Sequence, residues 1–187
     1  MKSEATLIAN QIYDMLDAWR IATIIDQAKE FKKCYPFLAH DMVNTYRLSY
    51  CVSLSKLLDP AVQNSHKNLC FESEINSMKK GERKSKAQDL LATIRQKSVQ
   101  YRIVRNEIAS HSSRQVMRSR RTITTPTIEK TKLINAMVAD LYELVFKSVF
   151  PSPPVQTLND LSTLLEEVQP NKGAPADRPT AAQSVGG

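Results

Sequence analysis

What most restricts this chain is its shortage of glycine. Of 187 residues only four are glycine, Gly81, Gly173, Gly186 and Gly187, and three of these fall in the last fifteen positions. A sheet protein uses glycine at tight hairpins and bulges, where the backbone takes angles that a Cβ opposes. Long helices joined by a few loops have no such need. The chain is therefore expected to be all-α, and at this length it can bury a core without disulfides or metals.

Hydrophobic spacing agrees. Between Glu4 and Lys33, Ile8, Ile12, Met15, Trp19 and Ala22 recur at helical spacing, and Ile21, Ile24 and Ile25 widen the stripe. One long helix with more than one neighbour is expected there, broken by Tyr35-Pro36. A second helix, near Leu38 to Leu58, presents Met42, Val43, Tyr46, Tyr50, Leu54 and Leu57. It should stop at Asp59-Pro60, because a residue before proline is pushed out of the α region. Residues 61–68 read as polar turn, followed by a short helix over Phe71 to Lys79. Ser85 is the expected N-cap of a helix running from about Lys86 past Ile108. On its wheel Leu90, Leu91, Ile94, Tyr101, Val104, Ile108 and Ala109 share one face, while Val99 and Ile103 lie opposite. A helix apolar on two sides is sandwiched in a bundle or shared with a dimer partner.

Thr125-Pro126 marks the next start, a hydroxyl cap and then proline in the first turn. That helix carries Ile128, Leu133, Met137, Leu141, Leu144, Val145 and Val149 and stops before Pro151. A last short helix begins at Thr157, with Leu158, Leu161, Leu164, Leu165 and Val168. The chain thus divides into a helical domain over residues 1–168 and a tail, 169–187, rich in Ala, Pro, Gly, Ser and Gln and expected to be disordered.

The three cysteines, Cys34, Cys51 and Cys70, are odd in number and never spaced as CxxC, so they read as reduced thiols. With only His40, His66 and His111 beside them, neither a metal site nor a cofactor is expected. No apolar run approaches the length of a membrane span, and Met1-Lys2-Ser3-Glu4 lacks the apolar core of a signal peptide. A soluble, cytoplasmic protein with no membrane partner is the expectation.

Net charge is +7, but it is concentrated. From Lys79 to Lys132, 15 lysines and arginines stand against four acidic residues, whereas the rest of the chain has 11 basic and 15 acidic residues. Such asymmetry is the electrostatic footprint of a phosphate-backbone binder. A solvated helix face followed by a basic loop would give the same count.

Inside this block Arg105 lies in the middle of the apolar face of its helix, where a guanidinium needs a partner or a function. Asn106 is adjacent. His111, six residues on, would lie about 9 Å further along the axis and about 120° around it. Histidine can move protons near neutral pH, and arginine can hold a phosphate with a bidentate fork. Together they suit RNA cleavage by transesterification, with the 2′-hydroxyl as nucleophile and no metal. A surface or capping histidine is the plain alternative for His111. Arg102, Arg114, Arg118, Arg120 and Arg121 are the candidates for widening a nucleic-acid groove beside the site.

The segment Tyr101-Arg102-Ile103-Val104-Arg105-Asn106-Glu107-Ile108-Ala109-Ser110-His111 resembles the Arg-x(4–6)-His signature of HEPN domains. Val52 to Pro60, with its Asp-Pro end, is similar to the second helix of the AbiU-like abortive-infection branch. Asn68-Leu69-Cys70-Phe71 and the Asp-Leu-x-x-Leu-Leu pattern over Asp160 to Leu165 fit the same branch, so the resemblance covers residues 5–168. It implies an up-and-down helical bundle that homodimerises, bringing two copies of Arg105, Asn106 and His111 into one basic cleft. It further implies a metal-independent endoribonuclease of a phage-defence or toxin–antitoxin system, with an antitoxin or defence-system partner. Two positions depart from the pattern. Ser113 stands where nucleotidyltransferase-silenced HEPN toxins carry tyrosine, and Ser110 rather than alanine directly precedes His111. Some HEPN domains are catalytically silent and bind RNA or a protein, which is the alternative reading. A DNA-binding regulator is a third, although no short helix pair with a glycine turn stands at helix-turn-helix spacing.

Overall fold

Apolar stripes and terminal caps set the elements of a computed structural model that describes residues 3–63, 65–110, 126–150, 161–163 and 165. About 82% of the described residues are helical, in keeping with the all-α expectation. Helix α1, Glu4–Gln27, begins where the Ser3 side chain accepts a hydrogen bond from the Thr6 N–H. It buries Ile8, Ala9, Ile12, Met15, Ala18, Ala22 and Ile25. The single long helix expected here is two: the backbone turns at Ala28 (φ −72°, ψ 85°) and resumes as α2, Lys29–Cys34. Alanine is a strong helix former, so no local signal announces this break.

Pro36 occupies the first turn of α3, Pro36–Leu58, where its missing N–H is harmless. Asp59 leaves the helix at ψ 158°, as its following proline requires. Residues 61–68 hold a minimal antiparallel hairpin of two-residue strands, β1 (Val62–Gln63) and β2 (His66–Lys67). Helix α4 is Phe71–Ser77.

Helix α5, Glu82–Lys97, starts one turn earlier than its sequence suggests. Gly81 is its N-cap, at a φ of 154° that side-chain-bearing residues rarely adopt, and Ser85 sits inside the first turn. The continuous helix expected past Ile108 is interrupted at Ser98 (φ −93°, ψ 6°), and α6 runs from Val99 to Ser110. Ser98 is fully buried; its N–H still donates to the Ile94 carbonyl at 2.9 Å and its hydroxyl donates to the Arg95 carbonyl at 3.2 Å.

For α7, Ile128–Phe146, the cap is Thr127, accepting from the Lys130 N–H, rather than Thr125. Its buried face is Thr131, Ile134, Val138, Leu141, Tyr142 and Val145, so Ile128, Leu133 and Val149, expected inside, are exposed. The helix ends at Lys147, which takes the left-handed conformation (φ 55°).

Packing follows from these faces. Asp26 of α1 meets Arg47 of α3, and Trp19 meets Tyr50, so α1 and α3 run antiparallel. Helix α6 packs on α3 through Tyr50 and Tyr101, and Arg105 reaches Asp59 at the end of α3. One core joins all the helices except α2; a smaller cluster of Ile25, Phe31, Ala39, Val43 and Leu165 closes the α1–α3 turn. Val99 and Ile103 are not sandwiched within the chain: they are 42% and 48% exposed. The expected tail, 169–187, lies outside the described residues.

Candidate nucleic-acid interface

Helix α6 is held by an aromatic and hydroxyl chain that crosses the core. The Tyr50 ring lies 5.6 Å from Trp19 and 5.5 Å from Tyr101. Such contacts contribute about 0.5–1.5 kcal/mol each beyond area burial. The Tyr50 hydroxyl donates to Asn135 Oδ1 at 2.9 Å, and the Tyr101 and Thr131 hydroxyls share a bond of 2.8 Å. Burial raises both phenols, Tyr101 to about 12, so both are protonated donors at neutral pH. Tyr101, a candidate core or interface residue from the sequence, is therefore core. Its position fixes the rotation of α6 about its axis, and with it the direction of the residue one turn later, Arg105.

Arg105 has a partner. Its Nη1 lies 3.6 Å from Asp59 Oδ1 at the end of α3, with the two side chains 29% and 26% exposed. Its Nε also donates to Asn106 Oδ1 at 3.1 Å. The ion pair resolves how a guanidinium sits beside the core face: it leans out to a carboxylate placed by the Asp59-Pro60 terminus. Arg102, three residues earlier on the neighbouring ridge, is exposed. Its Nη2 reaches the Arg95 carbonyl only at 3.5 Å. Arg102, Arg105 and Asn106 thus form one contiguous patch on the outer part of α6.

The same corner holds a second arginine that the sequence did not single out. Arg95 of α5 donates from Nε to the Leu58 carbonyl (2.9 Å) and from Nη2 to the Asp59 carbonyl (3.1 Å). Its Nη1 pairs with Glu72 Oε1 at 2.8 Å. Glu72 Oε2 in turn accepts from the Ala61 N–H, and Arg95 together with that N–H holds the carboxyl below its ordinary range. A cation on the last carbonyls of α3 also meets the negative end of the helix dipole. In the sequence Arg95 looks like any solvated helix cation, because its partners are 23 to 37 residues away.

His111, Arg114, Arg118, Arg120 and Arg121 lie outside the described residues, so only Arg102, Arg105 and Asn106 of the predicted set are brought together. His40 is exposed and its ring bonds the Asn44 side chain at 2.8 Å. Among the described residues no group of three or more His, Cys, Asp or Glu side chains could hold a metal ion. Nor is any described helix long and apolar enough to cross a membrane. Comparison of the chain with protein-family models, curated proteins and solved structures finds no match.

Proposed function

We propose that this chain is a metal-independent endoribonuclease of the HEPN type, serving phage defence, abortive infection or a toxin–antitoxin system. The observation that supports it is the setting of Arg105. Its guanidinium is oriented by Asp59 and Asn106, yet 29% of the side chain faces solvent, and in the sequence the arginine-rich stretch opens nine residues later at Arg114. A cation fixed in place before the reaction suits the charge that develops on a pentavalent phosphorane. In the proposed chemistry the 2′-hydroxyl attacks the adjacent phosphorus and His111 accepts its proton. The 5′-oxygen then leaves with a proton returned by a His111 imidazolium, and a 2′,3′-cyclic phosphate remains. Two copies of the chain form the composite site, RNA is the substrate, and an antitoxin or defence-system partner restrains it.

The test is incubation of the purified chain with RNA in EDTA, with analysis of the ends. Cyclic phosphate ends that vanish in His111→Ala support the reading; RNA left intact by the wild type under varied conditions removes it. The Arg105–Asp59 ion pair also gives the arginine a purely structural task, which favours a second reading, a catalytically silent module that binds RNA or a protein. RNA binding that survives His111→Ala but weakens steeply with salt would select that one.

A further inference from the structure

At the other end of α5 lies a cleft of about 630 Å³, within the roughly 300–1,000 Å³ typical of small-molecule sites. Four cations line it: Lys79 and Lys80 from the α4–α5 loop, Arg83 from the first turn of α5, and Lys147 from the end of α7. Among the described residues none of these four side chains has an ion-pair or hydrogen-bond partner, and the Nη1 of Arg83 is buried without one. Positive charges gathered from three stretches of chain repel one another, and an anion between them removes that cost. The first turn of α5 adds to the field, since Gly81 supplies no capping side chain to its N–H groups.

The cleft is built rather than incidental. Lys84 donates to the Asn76 carbonyl (2.8 Å) and the Met78 carbonyl (3.2 Å), which ties the α4–α5 loop to α5. Val145 and Phe146 form an apolar wall, and Phe146 is steadied by the Tyr142 ring at 4.8 Å. Two carboxylates also border the space. Glu82 is engaged by Lys86 at 2.7 Å, and burial together with Glu4 raises the Glu74 carboxyl above its ordinary value.

We propose that this cleft binds the phosphate of a small phosphate ester whose apolar body rests on Val145 and Phe146. Arg83 and Arg95 are twelve residues apart on one helix, about 18 Å, so the site is separate from the Arg105 corner. It stands whether or not the chain cleaves RNA.

Calorimetric titration of the full chain with phenyl phosphate tests it, with inorganic phosphate, phenol and a short single-stranded RNA as comparators. Saturable binding is expected, tighter for phenyl phosphate than for inorganic phosphate and absent for phenol. Affinity should fall about tenfold or more in Arg83→Glu/Lys147→Glu. Charge reversal of Lys97, at the far end of α5, should leave it within about twofold. Helical circular dichroism confirms that each variant is folded, and Lys79→Ala/Lys80→Ala in the exposed loop provides a milder second pair. Equal affinity in wild type and both pairs, or no binding of phenyl phosphate, overturns the proposal. If only the RNA binds, and the double reversal abolishes that, the phosphate belongs to a strand and the small-ester assignment is lost.

Discussion

The two ends of α5 handle charge in opposite ways. At the C-terminal end Arg95 is engaged through all three of its nitrogens, by two carbonyls of the α3 terminus and the Glu72 carboxylate, and Asp59 next to it takes Arg105. At the N-terminal end Lys79, Lys80, Arg83 and Lys147 gather around open space, without partners among the described residues. Saturated charge within a packed corner stabilises the fold, and its loss exposes buried acceptors. Unsaturated charge does the reverse, because self-repulsion weakens the fold until an anion arrives. Arg105 stands between these cases, paired on one side and open on the other, which makes it the residue with both a structural and a functional reading.

That contrast is most easily broken at Arg95. Arg95→Ala leaves the Leu58 and Asp59 carbonyls and Glu72 Oε1 without their donor, and the Arg95 and Glu72 side chains are only 27% and 30% exposed. A loss of about 2–3 kcal/mol in urea unfolding is expected; a change below about 0.5 kcal/mol would mean that water replaces the clamp. Within the core, Tyr101→Phe removes the bond to Thr131. It should cost about 1 kcal/mol, read as a lower thermal midpoint.

At the open end the sign should reverse. Lys147→Gly relieves a left-handed backbone, at φ 55°, and thins the positive cluster. Partly offset by the flexibility of glycine in the unfolded chain, the variant should gain about 0.5 kcal/mol while binding phenyl phosphate less tightly. A stability loss there would show that Lys147 has a packing role.

Glu72 sharpens the comparison through pH. Its carboxyl is held below the ordinary 4.5, first by the hydrogen bond from Arg95 and then by that from Ala61, against the opposing effect of burial. A depressed folded value means stability that is present above the unfolded value and lost as pH falls through the folded one. Urea midpoints of the wild type and Glu72→Gln should therefore differ at neutral pH and converge below about 4.5. Parallel curves would deny the ion pair any contribution.

What the sequence made legible was periodic or local. Scarce glycine pointed to the all-α class, and Tyr35-Pro36 and Asp59-Pro60 marked real helix ends. The Ile8, Ile12, Met15 and Ala22 stripe is buried as its spacing requires. What stayed hidden depended on distant partners or carried no local signal. The chain turns at Ser98 (φ −93°, ψ 6°) within a run of helix-forming residues, so the wheel drawn through it merged two helices. The exposed Leu133 and buried Thr131 of α7 reverse their hydropathy order, because Thr131 is held by Tyr101. The arginine-rich candidates could be named from charge alone, whereas the Arg95 clamp and the α5 cleft exist only once α3, α4 and α7 have been brought together.

The proposed function requires that Arg105 act on RNA as well as hold Asp59. Side-by-side measurement of Arg105→Lys for stability and for RNA cleavage tests it most directly, because lysine can keep the charge pair with Asp59 but lacks the planar fork. The expected result is a thermal midpoint within a few degrees of wild type, with RNA cleavage in EDTA reduced about 100-fold or more. Cleavage at the wild-type rate in a folded Arg105→Lys protein would contradict the account and leave Arg105 a structural residue.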